Sequence, residues 1–513
     1  MRRLTILTVL GMVLGLLGGF APVSADEANF EMGNVDRAGS RSLPGYMQGD
    51  LTAAAVRDKG LEVQWTAPTS SSVAGAPVTF ESSVIVGDFA GFVYAFDRSD
   101  GSTIWQTCVE AVGCPGPAFF FSGILGSPLV KDDTAYIGTL SGSMVALNAY
   151  TGEILWTHTP QVTPPAFGVF PIDSVWGGPI VVRNMVIYAL APNDEFGLGV
   201  YGRGAVLAVD RHTGEEIWRR PLIGDSDFAA GSSGAAVWNT TPTYSPELDY
   251  VFVGTGQDTN PAPGDAGSDS FFAIDASDGS IAWQTQVRTG DTWNVAVPFD
   301  PLNPTDTDIG DSPAVFRMRG QLMVAAGDKR GIFWVLDAAT GEILNNAGAG
   351  LDLFGGNLPG PGLTGGFNLD AGYIKSGNTI RHFAVFADQT TSLQEIVDTT
   401  GTCIAFSPGG CPIEPDTGNL VILNGIGTEE LCRFSAAETE LFSPLHLGGM
   451  ILVRGAQDAT VYAVDSNNCD LIAGVPVPTG PSGGANLSVA NGTIYTGGGY
   501  LGAPGLTAIG IGD

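Results

Sequence analysis

Five positions in this sequence carry side chains whose types could do chemistry together. Asp291 stands in Gly290-Asp291-Thr292-Trp293-Asn294, and Glu195 in Asn193-Asp194-Glu195-Phe196-Gly197. Gln257 closes Val253-Gly254-Thr255-Gly256-Gln257, Trp238 ends Gly234-Ala235-Ala236-Val237-Trp238, and Lys329 centres Gly327-Asp328-Lys329-Arg330-Gly331. Carboxylates accept protons and hold hard cations, and an indole offers a broad face to a flat ligand. Each also has an ordinary structural use. Asp291 fits a turn or a cap, residues 193–197 a solvated loop, Trp238 a core ring and Lys329 a charged turn. Other chemistries find no support: no C-x2-C pair for zinc, no C-x-x-C-H for covalent haem and no G-x-S-x-G hydrolase elbow occurs. Gly-x-Gly runs do not open a helix after a strand, and His158, His212, His382 and His446 are scattered.

The elements that must position these residues are written in a repeat. Tyr94-Ala95-Phe96-Asp97 leads to Asp100-Gly101 and then Ile104-Trp105. The pattern returns at Asn148, Gly152 and Trp156, at Asp210, Gly214 and Trp218, and at Asp275, Gly279 and Trp283. Later copies decay: Asp337 and Gly341 lead to Asn345, and Asp465 leads to Cys469 where glycine stood. Each copy reads as strand, turn and strand, with the Asp side chain starting the turn and the Gly taking positive φ. The recurring Trp is suited to packing on the neighbouring unit. Periods of roughly 40–60 residues with several short strands each predict a β-propeller. The outer hairpins count to eight blades, with seven as the alternative, and residues 483–511 are expected to return to the first unit and close the ring. The fold expected is all-β, one domain over residues 26–513.

The chain has 513 residues, 44% hydrophobic and 15% charged, enough for a large core, and its 73 glycines and 32 prolines suit many tight turns. A net charge of −31 argues against nucleic acid as a partner. Arg2 and Arg3 precede an apolar run to Phe20 and a small-residue site at Val23-Ser24-Ala25, the pattern of a signal peptide over residues 1–25. The expected location is periplasmic or secreted, with no membrane span after cleavage. Six cysteines suit that compartment, and the local pairing is Cys108 with Cys114, Cys403 with Cys411 and Cys432 with Cys469, among many others open to six cysteines.

The turn-Gly-Trp repeats, the motifs of Trp238, Gln257, Glu195 and Asp291 in their expected order, and the weaker match at Lys329 resemble the pyrroloquinoline quinone (PQQ) alcohol dehydrogenases, most of all their polyvinyl-alcohol dehydrogenase branch. The resemblance covers nearly the whole chain after residue 25. It implies a floor for the flat quinone at Trp238 and a cation to its oxygens at Lys329. It implies calcium ligands at Glu195, with Asp194 as the alternative, and at Gln257, where the family has Asn. It implies Asp291 as the base that takes the alcohol proton while the quinone accepts hydride. Electrons would pass to an external cytochrome c or another acceptor, and the polymer-oxidising branch implies a secondary or polymeric alcohol. The chain departs from the pattern in lacking an adjacent Cys-Cys pair and in placing Leu125, within Gly123-Ile124-Leu125-Gly126-Ser127-Pro128, where the family often has Arg. Those departures favour a second reading, a non-catalytic PQQ-repeat propeller that binds or assembles other proteins. A third is a polymer-binding module outside the cell.

Overall fold

The computed structural model describes residues 29–110, 113–115, 122–160, 173–194, 201–238, 241–259, 267–292, 307–329, 332–345, 372–388, 417–480, 485–499 and 502–512. Eight antiparallel sheets follow one another along these residues. The first blade runs over 78–108, with strands Val78–Phe80, Ser83–Gly87, Phe92–Asp97 and Thr103–Cys108 paired in that order. The second covers 129–158, the third 173–221, the fourth 243–286, the fifth 314–337 (three described strands), the sixth 372–436 and the seventh 441–476. The eighth joins the two ends of the described chain. Leu61–Ala67 pairs with Leu506–Ile511, which continues to Thr493–Gly497 and Leu487–Ala490. The return of 483–511 expected from the sequence is therefore the ring closure, made on the strand Leu61–Ala67 that carries Trp65, and it leaves no long open edge there.

Burial follows position in the blade. Met144–Asn148 is buried at four of its five residues, as a strand covered on both faces must be, whereas the outer strand Ile154–His158 buries Trp156 alone. The turn between such strands is built as its sequence implies. Asp210 Oδ1 accepts from the amides of His212 at 2.9 Å and Thr213 at 3.0 Å, and Gly214 takes φ 73°.

That glycine has a second duty. A Cβ on Gly214 would sit 2.7 Å from the ring of Trp156, which lies in the preceding blade and donates Nε1–H to the Arg211 carbonyl at 3.0 Å. The same dock joins Trp65 to the Gly101 turn, Trp105 to Gly152, Trp218 to Gly279 and Trp283 to Gly341. The recurring Trp is thus the pin between neighbouring blades. Where the motif decays, so does the dock. Asn345 folds back on its own blade, its Oδ1 accepting the Val335 amide at 3.2 Å.

A strap over residues 29–51 runs round the inner strands. Thr79 N–H donates to Phe30 O, Val130 to Glu31 O, Tyr244 to Arg37 O, Val315 to Ala38 O, Tyr373 to Ser40 O, His446 to Arg41 O and Asn491 to Met47 O. Arg37 Nη1 reaches Val181 O at 3.3 Å, so all eight blades are touched in chain order. Cys108–Cys114 and Cys432–Cys469 are disulfides, as the local pairing expected; Cys403 and Cys411 lie outside the described residues. So does the segment 1–25 read as a signal peptide. Among the described residues no helix is long and apolar enough to cross a membrane.

Candidate functional site

Trp238 lies on the loop that leads into the inner strand of the fourth blade, Thr243–Ser245, and Asp291 on the connection to that of the fifth, Ala314–Met318, while Gln257 and Lys329 lie between the second and third strands of those two blades. The loops are stitched together by backbone bonds. Ala235 N–H donates to Gln257 O at 3.0 Å and Gly256 N–H to Ala236 O at 2.9 Å. Gly234, at φ 84°, permits this approach, since a Cβ there would lie 2.3 Å from the Gln257 carbonyl oxygen. Glycine is likewise required at 256, where a Cβ would stand 2.8 Å from Asp308 Oδ1.

Asp308 links three of these loops. Its Oδ1 accepts the Gln257 amide at 2.9 Å, its Oδ2 accepts from Lys329 Nζ at 2.7 Å, and its carbonyl accepts the Lys329 amide at 2.9 Å. Both side chains of the ion pair are nearly sealed from solvent, at 5% and 3% exposure for Lys329 and Asp308. Such a pair survives burial only with good geometry and further hydrogen bonds, and this one has both. The Lys329 ammonium lies over the indole of Trp238, 4.5 Å from the ring centroid. Trp238 is half-buried, and its Nε1 is buried with no hydrogen-bond partner among the described residues.

Asp291 belongs to the same cluster one step further on. Its side chain is fully buried, its Oδ2 accepts the Thr307 amide at 2.7 Å and the Thr307 hydroxyl, and its carbonyl accepts the Asp258 amide at 3.1 Å. Thr307 immediately precedes Asp308, so Asp291 fixes the strand of chain that presents the Asp308 carboxylate. Asp194 is buried too, with Oδ2 accepting from Thr259 Oγ1 and from the Gly202 amide, each at 2.8 Å. Glu195 lies outside the described residues. Of the five expected positions, Trp238, Gln257 and Lys329 therefore converge, and Asp291 joins them through Thr307 and Asp258.

Two participants were missed. Asp308 lies in the acid-dense run Thr305-Asp306-Thr307-Asp308-Ile309-Gly310-Asp311, which reads as a solvated loop yet directly precedes an inner strand. Trp176, in the loop before Ile180–Val182, stands edge-on to Trp238 with centroids 6.4 Å apart. With Phe89 it packs on Ala74, Leu125 and Leu140. Leu125 thus lies in an apolar lip beside the indole, at the position where the resembled family often has Arg. Under that lip, Glu110 accepts from the Gly123 amide at 2.6 Å and from Ser141 Oγ at 2.8 Å, and burial raises its carboxyl above the ordinary range.

The donor set fits a flat, anionic quinone. A half-buried indole face supplies the stacking surface, and the ammonium beside it supplies the counter-charge. For calcium the described part offers the oxygens of Gln257, Asp194 and Asp308. Among the described residues no group of three or more His, Cys, Asp or Glu side chains is arranged around a metal position.

Fold and site together define a PQQ-type eight-bladed propeller. Residues 173–347, which hold Trp238, Gln257, Asp291, Asp308 and Lys329, match the family described as glucose/ethanol/alcohol dehydrogenase, beta-propeller domain, and residues 47–200 match that of the outer membrane protein assembly factor BamB. The chain is related to the quinoprotein and polyvinyl-alcohol dehydrogenases. Quinohemoprotein alcohol dehydrogenase ADH IIB of Pseudomonas putida is 27% identical over 324 residues, 58% of this chain and 44% of that protein. Polyvinylalcohol dehydrogenase of Sphingopyxis sp. (strain 113P3) is 27% identical over 302 residues, 54% of this chain and 45% of its own length. The match thus spans less than half of either relative. The crystal structure of quinohemoprotein alcohol dehydrogenase from Comamonas testosteroni superposes with a TM-score of 0.68 at 18% identity, covering 94% of this chain and 80% of that one, a likeness of fold.

Proposed function

We propose that this protein is a PQQ-dependent oxidoreductase that oxidises an alcohol outside the cytoplasm, after removal of residues 1–25. The observation that carries the reading is the sealed Lys329–Asp308 pair set against the Trp238 face, next to a second buried carboxylate at Asp291. Bound there, PQQ would supply the two-electron sink for the alcohol. Trp238 would bear its flat face and Lys329 would neutralise its oxygens. Asp291 is the proposed base: it takes the hydroxyl proton of the substrate while the hydride leaves the carbinol carbon. Glu195 and Gln257 are proposed as calcium ligands, with Asp194 next to the first. The apolar lip of Leu125, Leu140, Phe89 and Trp176 suits an alcohol with a hydrocarbon body, in keeping with the secondary or polymeric alcohols that the polyvinylalcohol relative's name suggests. Electrons would leave to an external cytochrome c or another acceptor.

Purified protein mixed with PQQ and Ca²⁺ is expected to gain quinone absorbance and to reduce an artificial acceptor when given alcohols. Asp291→Asn is expected to lower turnover by about a hundredfold or more while PQQ remains bound, the size of a lost general base. Unchanged turnover would remove Asp291 from that role. A second reading, a non-catalytic scaffold for protein assembly, is favoured by the assembly-factor match over residues 47–200 and by Leu125. Failure to bind PQQ at micromolar concentration with Ca²⁺ present would decide for it.

A further inference from the structure

We infer that Arg454 is the centre of an anion site in the seventh blade, and that the anion it takes is a carboxylate. Neither of its hydrogen-bond partners belongs to the Trp238 cluster, so the site stands without the quinone reading. Arg454 is the last residue but one of the strand Met450–Gly455, at the loop that leads to Thr460–Asp465. Lys329 occupies the corresponding loop of the fifth blade, so both cations lie at the same end of the ring. Register shows what is unusual about Arg454. Leu452 pairs with Ala463, and Ala463 with Ala473 just before a bulge, as Ile85 pairs with Ala95 and Ala95 with Trp105. Arg454 therefore stands where the first blade has Gly87. By the same register the second, fourth and eighth blades have Gly138, Gly254 and Gly497 there. A Cβ added at Gly87, Gly138 or Gly254 would come within 2.5 Å of Ile124, Val175 or Ile309, apolar residues of the loop that enters the next blade. The seventh blade puts a guanidinium in that room instead, and it reaches the Gly480 carbonyl on the way to the eighth blade.

The charge brought there has no counter-charge. Arg454 is 1% exposed; its Nη1 donates to the Gly455 carbonyl at 2.9 Å, its Nη2 to the Gly480 carbonyl at 3.3 Å, and its Nε is buried without a partner. Of the five N–H groups of a guanidinium, two are thus met, both by neutral oxygens. Asp458, the nearby carboxylate, is committed elsewhere. Its Oδ1 accepts from the Thr460 amide at 3.0 Å and from Thr439 Oγ1 at 3.3 Å, and its Oδ2 accepts from the Tyr462 hydroxyl. Burial lowers the guanidinium pKa to about 10, which still leaves it charged at neutral pH. A buried cation without an ion partner is costly, and a carboxylate in the plane of the fork would satisfy the charge and the orphan Nε–H together. Open space adjoins the fork: a Cβ on Gly480, whose carbonyl holds Nη2, would meet nothing within 4 Å.

Sodium formate is the probe, exchanged for chloride at constant ionic strength, and stability is read from urea unfolding of the full chain. Wild-type protein should be stabilised, each tenfold rise in formate beyond half-saturation lowering the unfolding constant about tenfold. Arg454→Met should lose this dependence. Arg454→Lys keeps the charge but not the fork, so its response should move to about tenfold higher formate; this shift decides the matter if the methionine variant does not fold. A wild-type protein indifferent to formate, or an Arg454 variant that responds as wild type does, overturns the proposal. A second arm, which rests on the quinone reading, separates the two sources of a carboxylate. If a carboxylate of bound PQQ is the ligand, Arg454→Met should bind PQQ about tenfold more weakly, with formate competing. If a free carboxylate is the ligand, the two proteins bind PQQ equally and formate stabilises the PQQ-loaded protein as well. Wild-type protein that binds no PQQ would end the quinone reading, while the formate result still decides for or against the anion site.

Discussion

His382 shows how much one buried side chain can set the acid tolerance of the ring. It is fully buried in the sixth blade, its ring edge-on to Phe316 at 4.6 Å and near Phe333 at 5.0 Å, with Nε2 beside the Gly425 carbonyl at 3.2 Å. Burial lowers its pKa to about 4, and burial with the nearby Arg381 charge does the same for His446. In the unfolded chain both protonate near 6.5, so the proton binds preferentially to the unfolded form. Their contribution is complete above about pH 6.5 and is lost as the pH falls toward about 4. Asp88 and Glu110, raised by burial, act in the opposite sense, so the useful measure is a difference between variants. His382→Phe is expected to lose about 2 kcal/mol less than wild type between pH 7 and pH 5, read from urea midpoints. Equal losses would clear His382. Residue by residue, the sequence makes Trp238, Lys329 and Gln257 legible because each interrupts or follows a repeat. Asp308 is not legible, because an acidic loop shows its meaning only when a lysine from the next hairpin comes within 2.7 Å.

At the scale of elements, the blade interfaces are held by a Trp on one outer strand and a Gly in the next turn. Gly152→Ala places a Cβ 2.6 Å from the Trp105 ring and forces φ 72° on alanine. Gly377 has φ 61° but nothing within 4 Å of its added Cβ, so Gly377→Ala isolates the backbone cost. The first substitution is expected to cost about 2–4 kcal/mol and the second about 1–2 kcal/mol. Similar losses in chemical denaturation would show that the ring contact contributes nothing. Between the sixth and seventh blades the dock has been rebuilt. Cys432 pairs with Ile422 just before a bulge, the register in which Trp105 pairs with Ala95, and Cys469 takes φ 61° where other turns have Gly. Their disulfide stands where Trp and Gly would have met. Replacing both by Ser is expected to cost about 2–4 kcal/mol. Cys432→Trp with Cys469→Gly should recover part of that; a double variant no more stable than Ser/Ser would show that the two devices are not equivalent. Four of the five regular docks could be read from Asp-to-Trp spacing, but the sixth unit could not, because a cysteine pair carries no trace of the ring it replaces.

At the scale of the whole molecule, closure is secured twice: by the eighth blade, which unites both ends of the described chain, and by the strap. The strap has no periodic pattern, and its residues look like a linker, so nothing in the sequence marks it. Its meaning lies in partners up to 444 residues along the chain. Arg41, 1% exposed, ties it at the seventh blade, donating to the Pro444 carbonyl and Ser443 Oγ at 2.8 Å each and to Asn34 Oδ1 at 3.2 Å. Ser443 Oγ in turn accepts the Leu487 amide of the eighth blade at 2.9 Å. A cation in such a place is costly to strand or to remove, since several acceptors lose their donor at once, and Arg41→Met is expected to cost about 2–5 kcal/mol. The pattern of loosening distinguishes a continuous latch from a set of separate contacts. The amides of Val130, Tyr244, Val315, Tyr373, His446 and Asn491 belong to six different blades and share only the strap as acceptor. In hydrogen exchange of Arg41→Met all six should lose protection together, ahead of the amides within each blade. Loss confined to His446 and Asn491, next to the substitution, would show that each blade holds the strap on its own account and that the ring has one closure rather than two.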